Sequence, residues 1–599
     1  MLFLLLACAS PTPDSAEPVV FCEGELDYRY APDEAFHTFP DDHWTVEDAA
    51  TATGLRVAMA PDTPALADFP ETYRNLLEQL GTLDGFGLTP ALVMQFGGVL
   101  PDLATLDVVL LVEADGAWTR PDVTLGTLDS GRTLTVTPWR PLPPGARGVL
   151  AVRSDATQEG CVAPSPALRT LLTDPSVRLA DRYAEGLAAL GWGPEEVGAM
   201  VVFTTQSAEA VDAAVAADVA TRAFPLDAPM TCADEGAWRD CRGTITVGDY
   251  RAADGIVPDG DVAVQSTYAL PVAVWLPPAD VPGPYPVTVC GHGLGGSKSQ
   301  CEFMAEVVAG EGMAVVAVDA QQHGDHPLRT DGDALEQIMA LFGFTLTPPS
   351  LDALVLRDNF RASAWDKLQI TQAVVGGLDV DADTVLDLDG TRIQYVGASL
   401  GGIMGPELLA WSPAMQGGTL IVPGGGLMNL VLDSDSFGVI ATVMTPAEWD
   451  TDDLARAIPL VQTLIDAGDP LVHAAALTRR RALAEGPDVV LLMALDDMIV
   501  PNSATAALAQ ALAVTGVGTE HLSIAGVPFV SGALAGNLAD GATGGLLQWS
   551  ETQPDLGAAW EPADHSTLHE SEQAAAVLTP FVAAVRDGRV PELVDPIGE

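Results

Sequence analysis

A serine becomes a nucleophile only when a base removes its proton, so a chain that uses one must gather a histidine, a carboxylate and amide donors around it. The pentapeptide Gly397-Ala398-Ser399-Leu400-Gly401 sets a serine between small residues, where a sharp turn can lift its Oγ clear of the backbone. The base must come from elsewhere. Asp564-His565-Ser566-Thr567-Leu568-His569 holds two of only nine histidines. His565 stands far enough ahead of the following helical run to reach inward, with His569 as the alternative. For the carboxylate, Asp496 and Asp497 follow an apolar strand-like stretch, and the spacing to Val500-Pro501 favours Asp497. Gly291-His292-Gly293-Leu294-Gly295-Gly296 is a second glycine-rich turn. It can aim the Leu294 N–H at a developing oxyanion, and the Leu400 N–H, one past the serine, can supply the second donor. Such donors account for about 3–4 kcal/mol of barrier each. Together these groups would transfer an acyl group to water.

Each group needs an element to hold it. Thr391–Val396 alternates β-branched and aromatic residues as a strand, and Gly402–Trp411 reads as a helix, which is the strand–turn–helix setting a serine elbow requires. The glycine-rich turn follows the strand Pro286–Cys290, Asp497 follows Val489–Met493, and His565 precedes a closing helix over 571–586. Further strands are expected at 243–247, 268–276, 313–318 and 419–422, with a helix over 301–310. Buried strands alternating with helices predict an α/β class domain over 241–599, a mainly parallel sheet covered on both faces with its functional loops at the strand C-termini. Apolar insertions near 331–356 and 429–483 are expected to cap the site. Ahead of it, 21–155 carries strands at 107–112, 133–138 and 148–152 and one short helix over 71–80, predicting a β-sandwich that acts as a spacer or packing platform. The stretch 156–240, with amphipathic runs at 180–187 and 211–222, reads as a helical connector.

The order Ser399, Asp497, His565 and the D-x-x-V-P spacing resemble the α/β-hydrolases, and residues 243–599 are similar to secreted bacterial lipases and esterases of that fold. The likeness extends to extracellular lipases grouped with bacterial virulence-factor lipases. It is carried by His292-Gly293, Asp319-Ala-Gln-Gln-His323-Gly324, Arg357-Asp358-Asn359-Phe360-Arg361-Ala362-Ser363 and the elbow itself. The resemblance implies a serine hydrolase of carboxylic esters working without a cofactor. Ala398, where histidine is common, and the oxyanion turn Gly293-Leu294-Gly295-Gly296 depart from the lipase pattern and leave esterase or lipase open. A peptidase of the same fold and a non-catalytic envelope-attached binding protein are the rival readings. Leu134–Val152, with its Thr-Pro-x-x-Pro-Leu-Pro-Pro-Gly turn, resembles the last hairpin of bacterial immunoglobulin-like domains.

With 82 acidic and 27 basic residues, the 599-residue chain has a formal net charge of −55, which repels nucleic acid and anionic membranes. Lysine occurs only at Lys298 and Lys367. Leu5-Leu6-Ala7-Cys8 resembles a lipobox, so residues 1–20 are read as a lipoprotein-type signal and linker, with membrane contact through a lipid on Cys8 and export to the bacterial envelope or beyond. The six other cysteines suit disulfides in an exported chain. Cys232 and Cys241 bracket one loop and Cys290 and Cys301 another, and Cys22 with Cys161 would tie the ends of the first domain, although spacing alone leaves the pairing open. None has zinc-ligand spacing. Asp379, Asp381, Asp383, Asp387 and Asp389 form an acidic loop, but Thr384 stands where an EF-hand needs glycine and no glutamate closes it, so no metal is expected.

Overall fold

The computed structural model describes residues 19–597 apart from 25, 68, 71–73, 156–159, 261, 348, 439–441, 443–444, 447–448 and 484–485. The lipobox at Cys8 lies outside the described residues.

The N-terminal part contains two four-stranded antiparallel sheets. One orders Thr38–Phe39, Leu92–Gln95, Thr133–Pro138 and Val123–Leu128, and the other Val197–Thr204, Arg147–Arg153, Val108–Ala114 and Ala117–Thr119. Their buried side chains, Met94 and Leu134 from one and Leu110 and Val201 from the other, belong to one hydrophobic cluster. The span 156–240 is therefore not simply a helical connector. Between the helices Ala180–Leu190 and Ala210–Ala220 runs Val197–Thr204, buried along its whole length and paired with Arg147–Arg153. A strand covered on both faces shows no polar alternation, so its pattern does not separate it from the helices on either side.

The second sheet system has eleven strands: β1 Thr231–Asp234, β2 Arg239–Asp249, β3 Ser266–Leu276, β4 Tyr285–Gly291, β5 Ala314–Val318, β6 Leu388–Ala398, β7 Met415–Ile421, β8 Asp488–Ala494, β9 Thr515–Val517, β10 Phe529–Val530 and β11 Gly544–Trp549. They lie in the order β1-β2-β3-β5-β4-β6-β7-β8-β11-β9-β10. The first three and the β3–β5 pair are antiparallel, and every later pairing is parallel. An antiparallel lead-in, the exchange of β4 and β5, then a parallel run make this an α/β-hydrolase fold. Its strands are apolar almost throughout because both faces are covered.

Six helices matter for the site: α1 Arg74–Leu80 in the N-terminal part, then α2 Ala353–Gly376, α3 Leu400–Trp411, α4 Leu427–Asp433, α5 Thr451–Ile465 and α6 Asn502–Leu512. The expected cap insertion 429–483 divides in two. The end of α4 meets the loop after β8, where the Ser434 hydroxyl donates to the Met498 carbonyl at 3.3 Å. Pro470–Leu483 packs against α3 instead, with Arg480 donating to the Ala410 carbonyl at 2.7 Å and Leu477 fully buried beside sheet residues. An apolar helix face serves a cap or a core layer equally well, so its sequence pattern does not distinguish them.

The N-terminal part is bolted to α5. Gln206 donates to the Thr463 carbonyl at 2.7 Å, and Gly87 N–H to its hydroxyl at 3.2 Å. The buried Asp466 carboxylate accepts from the N–H groups of Leu88 and Thr89 and from the Thr89 hydroxyl. Three disulfides close the chain, Cys22–Cys161, Cys232–Cys241 and Cys290–Cys301, bonds that persist in oxidising compartments. No described helix is long and apolar enough to cross a membrane.

Candidate active site

Ser399 sits between β6 and α3 with φ 55° and ψ −119°, a backbone that L-residues adopt at a cost of about 1–3 kcal/mol and that surrounding contacts must hold. Those contacts are local. The Ser399 N–H donates to the Ile421 carbonyl at 2.9 Å, its own carbonyl accepts from Ile403 N–H at 2.9 Å, and the Tyr395 hydroxyl donates to the Gly401 carbonyl at 2.6 Å. Gly401 has no alternative here, since a Cβ on it would lie 2.2 Å from the Gly291 carbonyl oxygen.

His565 reaches across from the loop after β11. Its Nε2 accepts the Ser399 hydroxyl at 2.8 Å, and its Nδ1 is 2.7 Å from Asp497 Oδ2. A carboxylate only accepts, so the ring proton is on Nδ1 and Nε2 is free to act as base. Asp497 follows β8 with its side chain only 3% exposed, and its other oxygen takes the N–H groups of Ile499 and Val500 at 2.9 and 2.8 Å. Three donors thus fix the carboxylate in one orientation. The alternatives are elsewhere: Asp496 is exposed and uses its backbone N–H on Ala563, while the His569 ring bonds back to the His565 carbonyl at 3.2 Å.

The glycine-rich turn at 291–296 follows β4, which pairs directly with β6. It comes close to the serine: a Cβ on Gly293 would lie 3.7 Å from Ser399 Cβ. Leu400 opens α3, so its N–H is among the first four that no helical carbonyl reaches. Leu294 lies on the turn and packs against the apolar cluster that contains Leu400 and Ile403.

Side chains from within the turn and from beyond it hold it. Gln300 Oε1 accepts the Gly293 N–H at 3.1 Å. His292 accepts Ala320 N–H on Nε2 at 2.9 Å and donates from Nδ1 to the Gly293 carbonyl, also at 2.9 Å. Burial lowers its pKa to about 3, so the ring stays neutral and bridges the ends of β4 and β5. Lys298 donates from its backbone N–H and its ammonium to Asp319 at 2.6 and 2.7 Å, and its ammonium also meets Asp325. Burial opposes the Asp319 charge, but the hydrogen bonds from Asp325 and Lys298 outweigh it and hold the carboxyl below its ordinary range. The Cys290–Cys301 disulfide brackets the whole turn.

The remaining motif residues form a support layer rather than part of the site. Arg361 pairs with Asp212 at 3.0 Å and Asp358 at 3.1 Å, Arg357 with Asp358 at 2.7 Å, and the Ser363 hydroxyl accepts Gln321 N–H at 3.0 Å. All lie on or against α2, and Lys367 on the same helix donates to the Ser363 carbonyl, its pKa lowered by burial to about 8. His323 is buried and its Nδ1 bonds the Gln321 carbonyl at 2.8 Å. Spacing alone did not reveal Lys298 as the partner of Asp319, although a buried lysine in so acidic a chain is a signal in itself. Asp379, Asp381 and Asp387 bring carboxylate oxygens within 4.8 Å of one another. Asp379 is occupied by the N–H groups of Asp383 and Thr384, and Asp381 pairs with Arg239 at 2.7 Å.

No protein-family model and no curated protein matches the chain. Several solved structures do. Acetyl xylan esterase from Paenibacillus sp. R4 is 18% identical over 53% of this chain and 85% of its own, with a TM-score of 0.34. Acetyl xylan esterase 1 from Thermoanaerobacterium sp. JW/SL YS485 is 14% identical over 51% and 84%, with a TM-score of 0.33. An S-formylglutathione hydrolase from Agrobacterium tumefaciens is 12% identical over 61% and 100%, with a TM-score of 0.31.

Proposed function

We propose that the chain is a serine hydrolase of carboxylic esters. The observation that carries this reading is the relay Ser399–His565–Asp497, closed at 2.8 and 2.7 Å beside two turns with amide groups free to face an oxyanion. Ser399 Oγ attacks the ester carbonyl as His565 Nε2 takes its proton. The carbonyl π electrons move onto oxygen, which lies between the Leu294 and Leu400 N–H groups. Collapse breaks the bond to the alkoxy oxygen, and the imidazolium returns the proton to the departing alcohol. Water then attacks the acyl-serine, again deprotonated by His565, and the acid leaves with Ser399 regenerated. Asp497 keeps the ring in the productive tautomer and stabilises the imidazolium without taking the proton.

The test is fluorophosphonate labelling mapped by mass spectrometry, together with hydrolysis of p-nitrophenyl acetate. The expected result is an adduct on Ser399 and turnover that falls about a million-fold in Ser399→Ala. Folded protein that neither labels nor turns over any ester, with detergent present to open the cap, would return the chain to the non-catalytic binding reading.

A further inference from the structure

We propose that the alcohol released in this reaction is a saccharide, held in a polar cavity beside the glycine-rich turn at 291–296. This rests on the hydrolase reading above and adds the substrate class to it. The cavity measures about 400 Å³, within the range of small-ligand sites. Gly295, Gly296 and Gln300 form its border with the turn, and Gln322, Arg329 and Gln337 also line it. Gln300 ties this space to the nucleophile. A Cβ built on Gly293 would lie 3.7 Å from the Gln300 amide oxygen and 3.7 Å from Ser399 Cβ, so both border the space that this glycine leaves open.

The lining sets donors and acceptors side by side. Gln300 uses its amide oxygen on Gly293 N–H, and Arg329 donates to the Gly324 carbonyl. Among the described residues the Gln300 amide nitrogen and the rest of the Arg329 guanidinium keep free donors. Gln337 donates to the Gly332 carbonyl at 2.9 Å and keeps a free amide oxygen. A hydroxyl both donates and accepts, so this mixture suits a polyol. Among the described lining residues there is no carboxylate, in a chain that carries 82 acidic residues, which disfavours a cationic alcohol.

The walls are set in advance. Gln322, 9% exposed, accepts the N–H and hydroxyl of Thr330 at 2.8 and 2.9 Å and donates to the Leu328 carbonyl at 3.3 Å, which fixes the loop carrying Arg329. The helix Ala334–Leu341, which carries Gln337, is capped by Asp333 through Glu336 N–H at 3.0 Å. Groups held this way lose little freedom on binding. Gln300 and Arg329 are exposed, so the cavity opens to solvent. That suits the alcohol side of the ester, where the product must leave and water must enter to attack the acyl-serine. A second polar cavity of about 730 Å³ shares Gln322 and takes Glu336 and Ala340 from the same helix, so a longer saccharide has room to continue.

The experiment measures acetate release by the full chain from ethyl acetate and from the 6-O-acetates of glucose, galactose and mannose, which share an acyl group and differ in the alcohol. Each hydrogen bond to the sugar contributes about fivefold, so three should give the best hexose a kcat/KM on the order of 100 times that of ethyl acetate. Gln337→Leu and Arg329→Met remove groups from the lining, and Ala334→Trp fills the cavity from the exposed start of its helix. Each is expected to lower that ratio about fivefold or more. A parent that labels at Ser399 but prefers no hexose acetate by more than about tenfold would overturn the saccharide site and leave the hydrolase reading intact. Variants of native circular dichroism that keep the parent ratio would overturn it too. The three substitutions are at exposed or half-buried positions, and any that fails to fold leaves the parent ratio and the other two to decide. If Ser399 never labels and no ester is cleaved, the hydrolase reading fails and the saccharide assignment fails with it.

Discussion

The turn at Ser399 and the glycine-rich turn at 291–296 end neighbouring parallel strands, yet the first is held chiefly by backbone groups and the second chiefly by side chains. Around Ser399 the holding contacts come from Tyr395, Ile403 and the adjoining strand end at Ile421. Around Gly293 and Leu294 they come from Gln300, from the Lys298–Asp319 pair, from the end of β5 through His292 and from a disulfide. A local turn is specified by a short motif. A turn held from outside is specified by residues scattered along the chain, and its geometry is vulnerable at each of them.

The difference is open to attack, most strongly at the lysine. Lys298→Met leaves the Asp319 carboxylate, 1% exposed, without its buried partner, and the expected loss is about 3–5 kcal/mol of stability by urea titration. Because the damage falls on the oxyanion turn, kcat should drop more than KM rises. Asp319→Asn in the same background should restore part of both, since the orphaned charge is removed. Gly401→Ala strikes where the two turns touch. Its Cβ against the Gly291 carbonyl should cost about 1–3 kcal/mol and slow Ser399 labelling, and a normal labelling rate would mean the turns are less tightly packed than their backbones indicate.

The smallest expected effect is a pH slope. His292 stays neutral in the fold down to about pH 3, whereas an ordinary histidine takes a proton below 6.5. Between those values the unfolded chain binds one more proton, so this group makes stability fall as pH falls, by at most about 1.4 kcal/mol per pH unit. His292→Gln should flatten the dependence of the urea midpoint on pH in that window by up to this slope. An unchanged slope would show that the ring is protonated in the fold.

These contrasts also explain what could be read from the chain beforehand. Ser399, Asp497 and His565 each lie in a loop flanked by clear strand and helix patterns, so their types and order sufficed to nominate them. Asp496 and His569 could be set aside only once the register of β8 and the direction of the last loop were visible. Val197–Thr204 is indistinct among helical runs because its burial removes alternation, and Pro470–Leu483 reads as cap because an apolar helix does not say what it packs against. The Lys298–Asp319 and Arg361–Asp212 pairs join positions 21 and 149 residues apart. Nothing local marks such partners.

Both lysines of this chain are consumed by its interior, Lys298 at 7% and Lys367 at 2% exposure. Among the described residues the surface therefore offers no primary amine from a side chain. Succinimidyl dyes, aldehyde crosslinkers and amine-coupling resins will find no lysine handle on the folded protein, and proteases that require lysine will find no accessible site. Side-chain immobilisation chemistry can work through the abundant carboxylates instead, in a chain that carries 82 acidic residues.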